Sequence, residues 1–121
     1  MNPKQIEQMN FNEGAVWDML QTARGKSNAI SREALAEALN ISDRKIREIV
    51  AALIVDWGTI IISDYRSGGY YLPSCESEIE TYIHNLHSHG VSILKREAAI
   101  KKIDLAELLA EYQMELPLEV S

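Results

Sequence analysis

The chain has 121 residues, of which 46% are hydrophobic, and it carries a formal net charge of −6. This length suits one compact core but is short for two, and the longest apolar run, residues 49–55, is too short to span a bilayer. The first five residues are polar, unlike a signal peptide, and the single cysteine, Cys75, excludes an internal disulfide framework. We therefore expect a cytoplasmic protein.

The first predicted helix covers residues 12–23. Asn12 is a residue type that caps helix N-termini, and Phe11 and Val16 flank it at the spacing of a hydrophobic staple. The predicted buried face consists of Val16, Met19, Leu20 and Ala23. We expect a folded domain from residue 12, after an N-terminal arm of residues 1–11.

Residues 30–53 are typical of two short helices joined by a tight turn. Ser31 and Ser42 are each placed to cap the helix that follows. Asn40 lies in the turn and tolerates the left-handed backbone conformation. Apolar residues at helical spacing predict a shared core: Leu35, Leu39, Ile46, Ile49, Val50 and Leu53. This pattern predicts a helix-turn-helix.

A β-hairpin is predicted after the second of these helices. Gly58 suits the end of a helix, residues 60–62 are isoleucines, and the turn at residues 66–69 is rich in glycine. With these features the chain resembles the winged helix DNA-binding domains, in particular the one at the N-terminus of the biotin repressor. The matching residues are Asp56, Trp57, Gly58, Gly69, Tyr70, Leu72 and Pro73. The resemblance covers residues 12–73 and implies a mainly α fold with a hairpin wing, used for DNA binding.

The second helix of the predicted pair presents arginines away from the core. An arginine side chain is a planar fork that binds both acceptors of a guanine edge in the major groove, whereas small hydroxyls and lysines more often contact phosphates. A residue at the hairpin tip is placed for a minor groove or the DNA backbone. The predicted DNA-binding residues are Ser42, Arg44, Lys45, Arg47 and Arg66. The alternative for each arginine is an ordinary solvated surface charge.

The distribution of charge is compatible with DNA binding. Residues 24–72 contain seven basic and six acidic residues and so carry +1, which leaves −7 for the remainder. Affinity depends on the basic groups that reach phosphates rather than on the net charge of the chain. Glu48 on the outer face either contacts a cytosine or counts against DNA binding. We expect no tight non-specific association.

Residues 74–116 are predicted to form a helical extension, followed by a tail of residues 117–121. Ser77 and Glu80 have the spacing of a capping box, and a seven-residue apolar repeat passes straight through Gly90, which predicts one long helix. Asp104 and Glu107 open a second, short helix. The extension is predicted to serve homodimerisation or docking of a heterologous protein. Its predicted interface residues are Leu86, Ile93, Ile100, Leu105, Leu108, Leu109 and Tyr112.

The histidines and the remaining polar residues predict neither a metal site nor an active site. His84 and His87 share a helix face with Glu80, but no second cluster of ligands accompanies them. The sequence contains no serine framed by glycines, no activated cysteine and no paired carboxylates in an apolar setting. We expect a protein that is not an enzyme and uses no cofactor.

Two classes of function remain. The favoured one is a sequence-specific protein for double-stranded DNA, either a dimeric transcriptional regulator or a replication-linked accessory factor, an arrangement similar to small proteins of bacterial and phage genomes. The alternative is a winged helix that acts as a protein–protein interaction module without DNA binding. The salt dependence of binding to duplex DNA distinguishes the two, since phosphate contacts give a steep slope.

Overall fold

The computed structural model describes residues 9–115. The chain divides into two compact units, Met1–Glu80 and Thr81–Ser121. The described residues are mainly helical, with a small three-stranded antiparallel sheet and a long helix in the C-terminal part. This confirms the expectation of a mainly α chain with a small amount of β structure.

Three helices build the N-terminal unit: α1 (Phe11–Leu20), α2 (Arg32–Leu39) and α3 (Asp43–Val55). Each of them turns apolar side chains at helical spacing toward one another, as the hydrophobic pattern predicts. A short 3₁₀ helix, Lys26–Asn28, lies between α1 and α2. The fully buried side chains of these helices are Val16, Leu20, Leu35, Ile46 and Leu53.

The predicted caps of α2 and α3 are confirmed. Ser31 Oγ accepts a hydrogen bond from the Ala34 backbone N–H, and Ser42 Oγ accepts one from that of Lys45. Asn40 ends α2 with φ 53°, in the left-handed region. These local interactions define where the two helices begin and how tightly they turn.

The predicted start and end of α1 are wrong. The cap is Asn10, which forms a capping box with Glu13, so the helix begins at Phe11, whose side chain is 87% exposed. The helix ends at Leu20 rather than at residue 23, and the Ala23 carbonyl accepts a hydrogen bond from the Leu72 N–H at 2.7 Å. Most of the predicted arm and the predicted tail lie outside the described residues.

Three strands form the sheet: β1 (Ile30–Ser31), β2 (Ile62–Asp64) and β3 (Gly69–Tyr71), in the order β1-β3-β2. The hairpin of β2 and β3 lies close to its predicted place, although β2 starts later. The backbone N–H and the hydroxyl of Thr59 both bind the Leu53 carbonyl, so the segment after α3 caps that helix before it enters the sheet.

Strand β1 is not predicted by the sequence pattern. It pairs antiparallel with β3, with Ile30 opposite Tyr70 and Ser31 opposite Gly69. The approach is close, because a Cβ on Gly69 would lie 2.9 Å from the Ile30 carbonyl oxygen. This pairing joins the start of α2 to the hairpin.

Helix α4 (Glu76–Lys101) is continuous through Gly90, as the sequence predicts. Its predicted capping box at Ser77 and Glu80 is wrong, because Ser77 already lies inside the helix. The Glu78 carboxylate accepts instead from the Ser74 N–H at 2.7 Å, the Ser74 hydroxyl at 2.5 Å and the Lys26 N–H at 3.2 Å. These hydrogen bonds hold the pKa of Glu78 below its usual range.

In the C-terminal unit, helix α5 (Leu105–Glu115) folds back against α4. Lys102 ends α4 with φ 60°, and Asp104 caps α5 by accepting from the Glu107 N–H at 2.7 Å, as predicted. Within the described part of this unit the buried apolar side chains are those of Ala98 and Leu108. Leu108 therefore packs inside the helical hairpin and is not an interface residue, and Leu105 is half-buried.

Candidate nucleic-acid interface

Helix α3 has a buried face and a charged outer face. Ile46, Ile49, Val50 and Leu53 pack inward and are at most 4% exposed. The outer face begins with Arg44 and Arg47, whose side chains are 86% and 59% exposed. Further along α3 the outer face continues with Ala51 and Val55, which are also exposed. The structure thus places both predicted base-contacting arginines on the solvent side of the helix.

Both arginines are paired with carboxylates of their own helix. Arg44 Nε lies 3.3 Å from Glu48 Oε1, and Arg47 Nη2 lies 3.1 Å from Asp43 Oδ2. Lys45 Nζ is 3.9 Å from Glu48 Oε2. Exposed ion pairs of this kind contribute only about 0–1 kcal/mol, so exchanging the carboxylate for another partner costs little free energy.

Arg32 connects α3 to the hairpin. Its Nε lies 3.1 Å from Asp43 Oδ1, and its backbone N–H donates to the Gly68 carbonyl at the hairpin tip, at 3.2 Å. Tyr70 lies on the neighbouring strand β3, and burial raises the pKa of that tyrosine. Asp43 therefore binds Arg32 on one side and Arg47 on the other.

Sequence reasoning missed the role of Arg32 and Asp43. Each follows directly after an N-cap serine, so each occupies the first position of its helix. Opposite charges at equivalent positions of two consecutive short helices are a weak signal that their first turns lie side by side. The distance between them depends on the turn geometry, which the sequence does not specify.

Ser42 and Lys45 lie at the start and on the border of the outer face. Ser42 caps α3, where the unpaired N–H groups of the first turn and the helix dipole favour an anion. Lys45 borders an open groove of about 420 Å³ between α3 and the start of α1. Glu48, Ile49 and Ala52 line the α3 side of this groove, and Asn10, Phe11, Asn12 and Glu13 line the α1 side.

The hairpin tip presents Arg66 to solvent. The Arg66 N–H donates to Asp64 Oδ1 at 3.1 Å, and the Gly68 N–H donates to the Asp64 carbonyl at 2.8 Å. The hydrogen bond from the Arg66 N–H holds the pKa of Asp64 below its usual range. Across residues 9–115 the Arg66 guanidinium forms no ion pair. It is thus less neutralised than the α3 arginines.

The predicted interface residues of the extension divide into exposed and packed ones. Leu86, Ile93, Ile100, Leu109 and Tyr112 are exposed. The Tyr112 hydroxyl donates to Glu97 Oε1 at 2.6 Å, which raises the pKa of Tyr112 and lowers that of Glu97. An apolar surface therefore remains on the outside of the helical hairpin.

Comparison with known proteins identifies no relative. No family model, no curated protein and no solved structure matches the chain. Among the described residues, no group of three or more His, Cys, Asp or Glu side chains is arranged to hold a metal ion. No helix within that part of the chain combines the length and the hydropathy needed to cross a membrane.

Proposed function

We propose that the N-terminal unit is a winged helix that binds double-stranded DNA sequence-specifically. Its element order, which runs from helix and short strand through two helices to a hairpin, supports this proposal. In it α3 enters the major groove and the β2–β3 hairpin serves as the wing. A dimeric transcriptional regulator or a replication-linked accessory factor in the cytoplasm fits such an activity.

The observation that carries the proposal is the bridge made by Arg32. Its backbone binds the hairpin tip and its guanidinium pairs with Asp43 in the first turn of α3. The hairpin tip and the N-terminal end of α3 are therefore linked through one residue. Such a link holds in a fixed arrangement the two elements that the proposed complex lays against the same duplex.

The exposed cations have complementary roles in the proposed complex. Arg44 and Arg47 bind guanine edges, for which their bidentate geometry is suited. Ser42 and Lys45 bind phosphates beside the start of α3, and Arg66 contacts the backbone or the minor groove. The carboxylates that now pair with Arg44 and Arg47 limit non-specific affinity, because a ligand must displace them.

The test is the salt dependence of DNA binding by the full chain. A random duplex library is selected on the protein, and the affinity for the enriched sequence and a scrambled one is measured by fluorescence anisotropy at several salt concentrations. We expect enrichment of one motif. We also expect the plot of log K against log[salt] to be linear, with a slope of about −0.9 for each phosphate contact. Absence of enrichment together with a flat plot would contradict the proposal.

A second candidate function is a winged helix used as a protein-interaction module. It is favoured by Phe11, which is 87% exposed beside the groove between α1 and α3, and by the internal pairing of the α3 cations. This function predicts a flat salt response with DNA. It also predicts that Phe11→Ala abolishes partner capture, whereas Arg44→Ala leaves it unchanged.

A further inference from the structure

We propose that a second copy of the chain docks on an apolar stripe of α4, with the two α4 helices antiparallel and crossing near Gly90. The proposal does not depend on DNA binding. It concerns only the described residues of α4 and α5, and it specifies the surface and the orientation of self-association.

The stripe lies on one side of α4. At 3.6 residues per turn, its members fall within an arc of about 100°. They are Ile83, Leu86, Gly90, Ile93 and Ile100, and the four large side chains among them are between 44% and 82% exposed. Ala98 is buried at 4% exposure and lies outside this arc, whereas Glu97 lies within it and Lys101 at its edge, where they bind Tyr112 and Glu111 of α5. Helix α5 thus reaches the C-terminal half of the stripe, while the four large apolar side chains of the stripe stay exposed.

Gly90 marks the centre of the stripe. Leu86 and Ile93 lie four residues before it and three residues after it, about one turn away on either side. A Cβ built on Gly90 meets nothing within 4 Å. The glycine therefore opens space on the surface of the helix, where the backbone of a second helix can approach closely.

The charges of α4 select the antiparallel orientation. Its first turns carry Glu76, Glu78 and Glu80. Its last turns, with the residue that follows, carry Lys95, Arg96 and Lys102, while Lys101 is paired with Glu97 and Glu111. Antiparallel copies place the acidic end of each helix beside the basic end of the other. Parallel copies place like charges together, which costs free energy and disfavours that arrangement.

Helix α5 widens the surface. Tyr112 binds Glu97, which lies within the arc of the stripe between Ile93 and Ile100, and Leu109 occupies the same side of α5 one turn earlier. Both side chains are exposed and apolar over most of their area. Their exposed apolar area adds to that of the stripe, and exposed apolar surface of this kind often marks protein interfaces.

The first experiment measures self-association by sedimentation equilibrium of the full chain. Gly90→Gln fills the proposed crossing point while raising helix propensity, so the variant is expected to fold, as circular dichroism checks. We expect a dimeric wild type and a dissociation constant raised about tenfold or more in Gly90→Gln. Ser88→Gln, on the opposite side of α4, is the matched control and leaves the dissociation constant unchanged.

Two outcomes of this experiment overturn the proposal. One is a wild-type chain that stays monomeric at high micromolar concentration, which assigns the stripe to a different protein. The other is a dimer that Gly90→Gln does not weaken, which assigns self-association to another surface. Neither outcome changes the salt dependence of DNA binding, so this proposal and the proposed function fail separately.

The second experiment tests the orientation by disulfide formation in a Cys75→Ser background. Ile83→Cys and Ile100→Cys proteins are oxidised separately and as a mixture, and cross-linked species are counted on non-reducing gels. Antiparallel helices bring residue 83 of one copy near residue 100 of the other, so only the mixture forms dimers. Cross-linking of each variant with itself would show parallel helices and overturn the proposed orientation.

Discussion

The Arg47 guanidinium lies 3.1 Å from the Asp43 carboxylate, one turn earlier on α3. The same carboxylate lies 3.1 Å from Arg32 Nε. Asp43 therefore competes with any external ligand for Arg47, and it also links α3 to the preceding helix, α2. A ligand that binds Arg47 must take it from Asp43, while the pair of Arg32 and Asp43 keeps the start of α3 in position.

Asp43→Asn separates these two roles. We expect duplex DNA to bind about two- to fivefold more tightly to this variant, because Arg47 loses its internal partner. The free energy of unfolding falls by about 0.5–1 kcal/mol, since two exposed ion pairs and an acidic group at a helix N-terminus are lost. Anisotropy titration and urea unfolding measure the two effects. Asp56→Asn, at the other end of α3, is the control. Weaker DNA binding by Asp43→Asn would contradict the idea that Asp43 competes with DNA for Arg47.

Arg44→Ala and Arg47→Ala test base contacts. Each is expected to reduce the free energy of specific binding by about 1–3 kcal/mol and to relax the preferred base at one position of the selected motif. Repeated selection on each variant gives the motif directly. Arg24→Ala removes an arginine that lies outside α3 and the hairpin and serves as the control. If both α3 variants keep the wild-type affinity and motif, α3 is not the recognition helix.

Arg66→Ala tests the hairpin tip. Loss of a backbone contact weakens binding to every sequence alike and makes the salt slope shallower by about 1. Arg66→Lys retains the charge and should restore the slope. A change in the preferred motif of Arg66→Ala would instead show that the wing contacts bases.

Glu78→Gln tests the contact that joins the start of α4 to residues 26 and 74. The hydrogen bonds to the Glu78 carboxylate lower its pKa in the folded state, so their stabilisation is present above the ordinary pKa of 4.5 and is lost as the pH falls through the lower folded value. We expect Glu78→Gln to reduce the free energy of unfolding by about 1 kcal/mol at pH 7. The free energy of unfolding of the variant should also fall less steeply than that of the wild type as the pH is lowered. Urea unfolding at several pH values checks this. Glu80→Gln, exposed two residues later, should behave as wild type.

A pair of glycine substitutions tests the tight pairing of β1 with β3. Gly69→Ala places a Cβ 2.9 Å from the Ile30 carbonyl oxygen and should cost about 1–3 kcal/mol. Gly14→Ala lies within α1, where nothing is within 4 Å of the added carbon, and should stabilise by about 0.5–1 kcal/mol. Thermal unfolding of both variants measures the two changes in stability, which are expected to have opposite signs. Equal stability of Gly69→Ala and wild type would show that β1 yields to the methyl group.

The features that sequence reasoning predicted depend on residues close together in the chain. Ser31 and Ser42 cap their helices through backbone groups three residues away, and Asn40 adopts the left-handed conformation in the turn between them. The apolar spacing of α3 likewise predicted its buried face. Hydrogen bonds within one turn and the period of the helix are enough to specify such features.

The sequence by itself determined the presence of the helices of the N-terminal unit, though not the ends of α1. It also determined the hairpin that follows them and the continuity of α4, because each follows from local propensity and hydrophobic period. Only the tertiary structure decided which partners those elements take. It showed that Ile30 belongs to a third strand, that Arg32 bridges the hairpin tip and Asp43, and that Glu78 binds the Lys26 N–H, 52 residues earlier. Contacts of this kind depend on how separate elements pack together, and a local pattern of residues does not specify which distant groups come into contact.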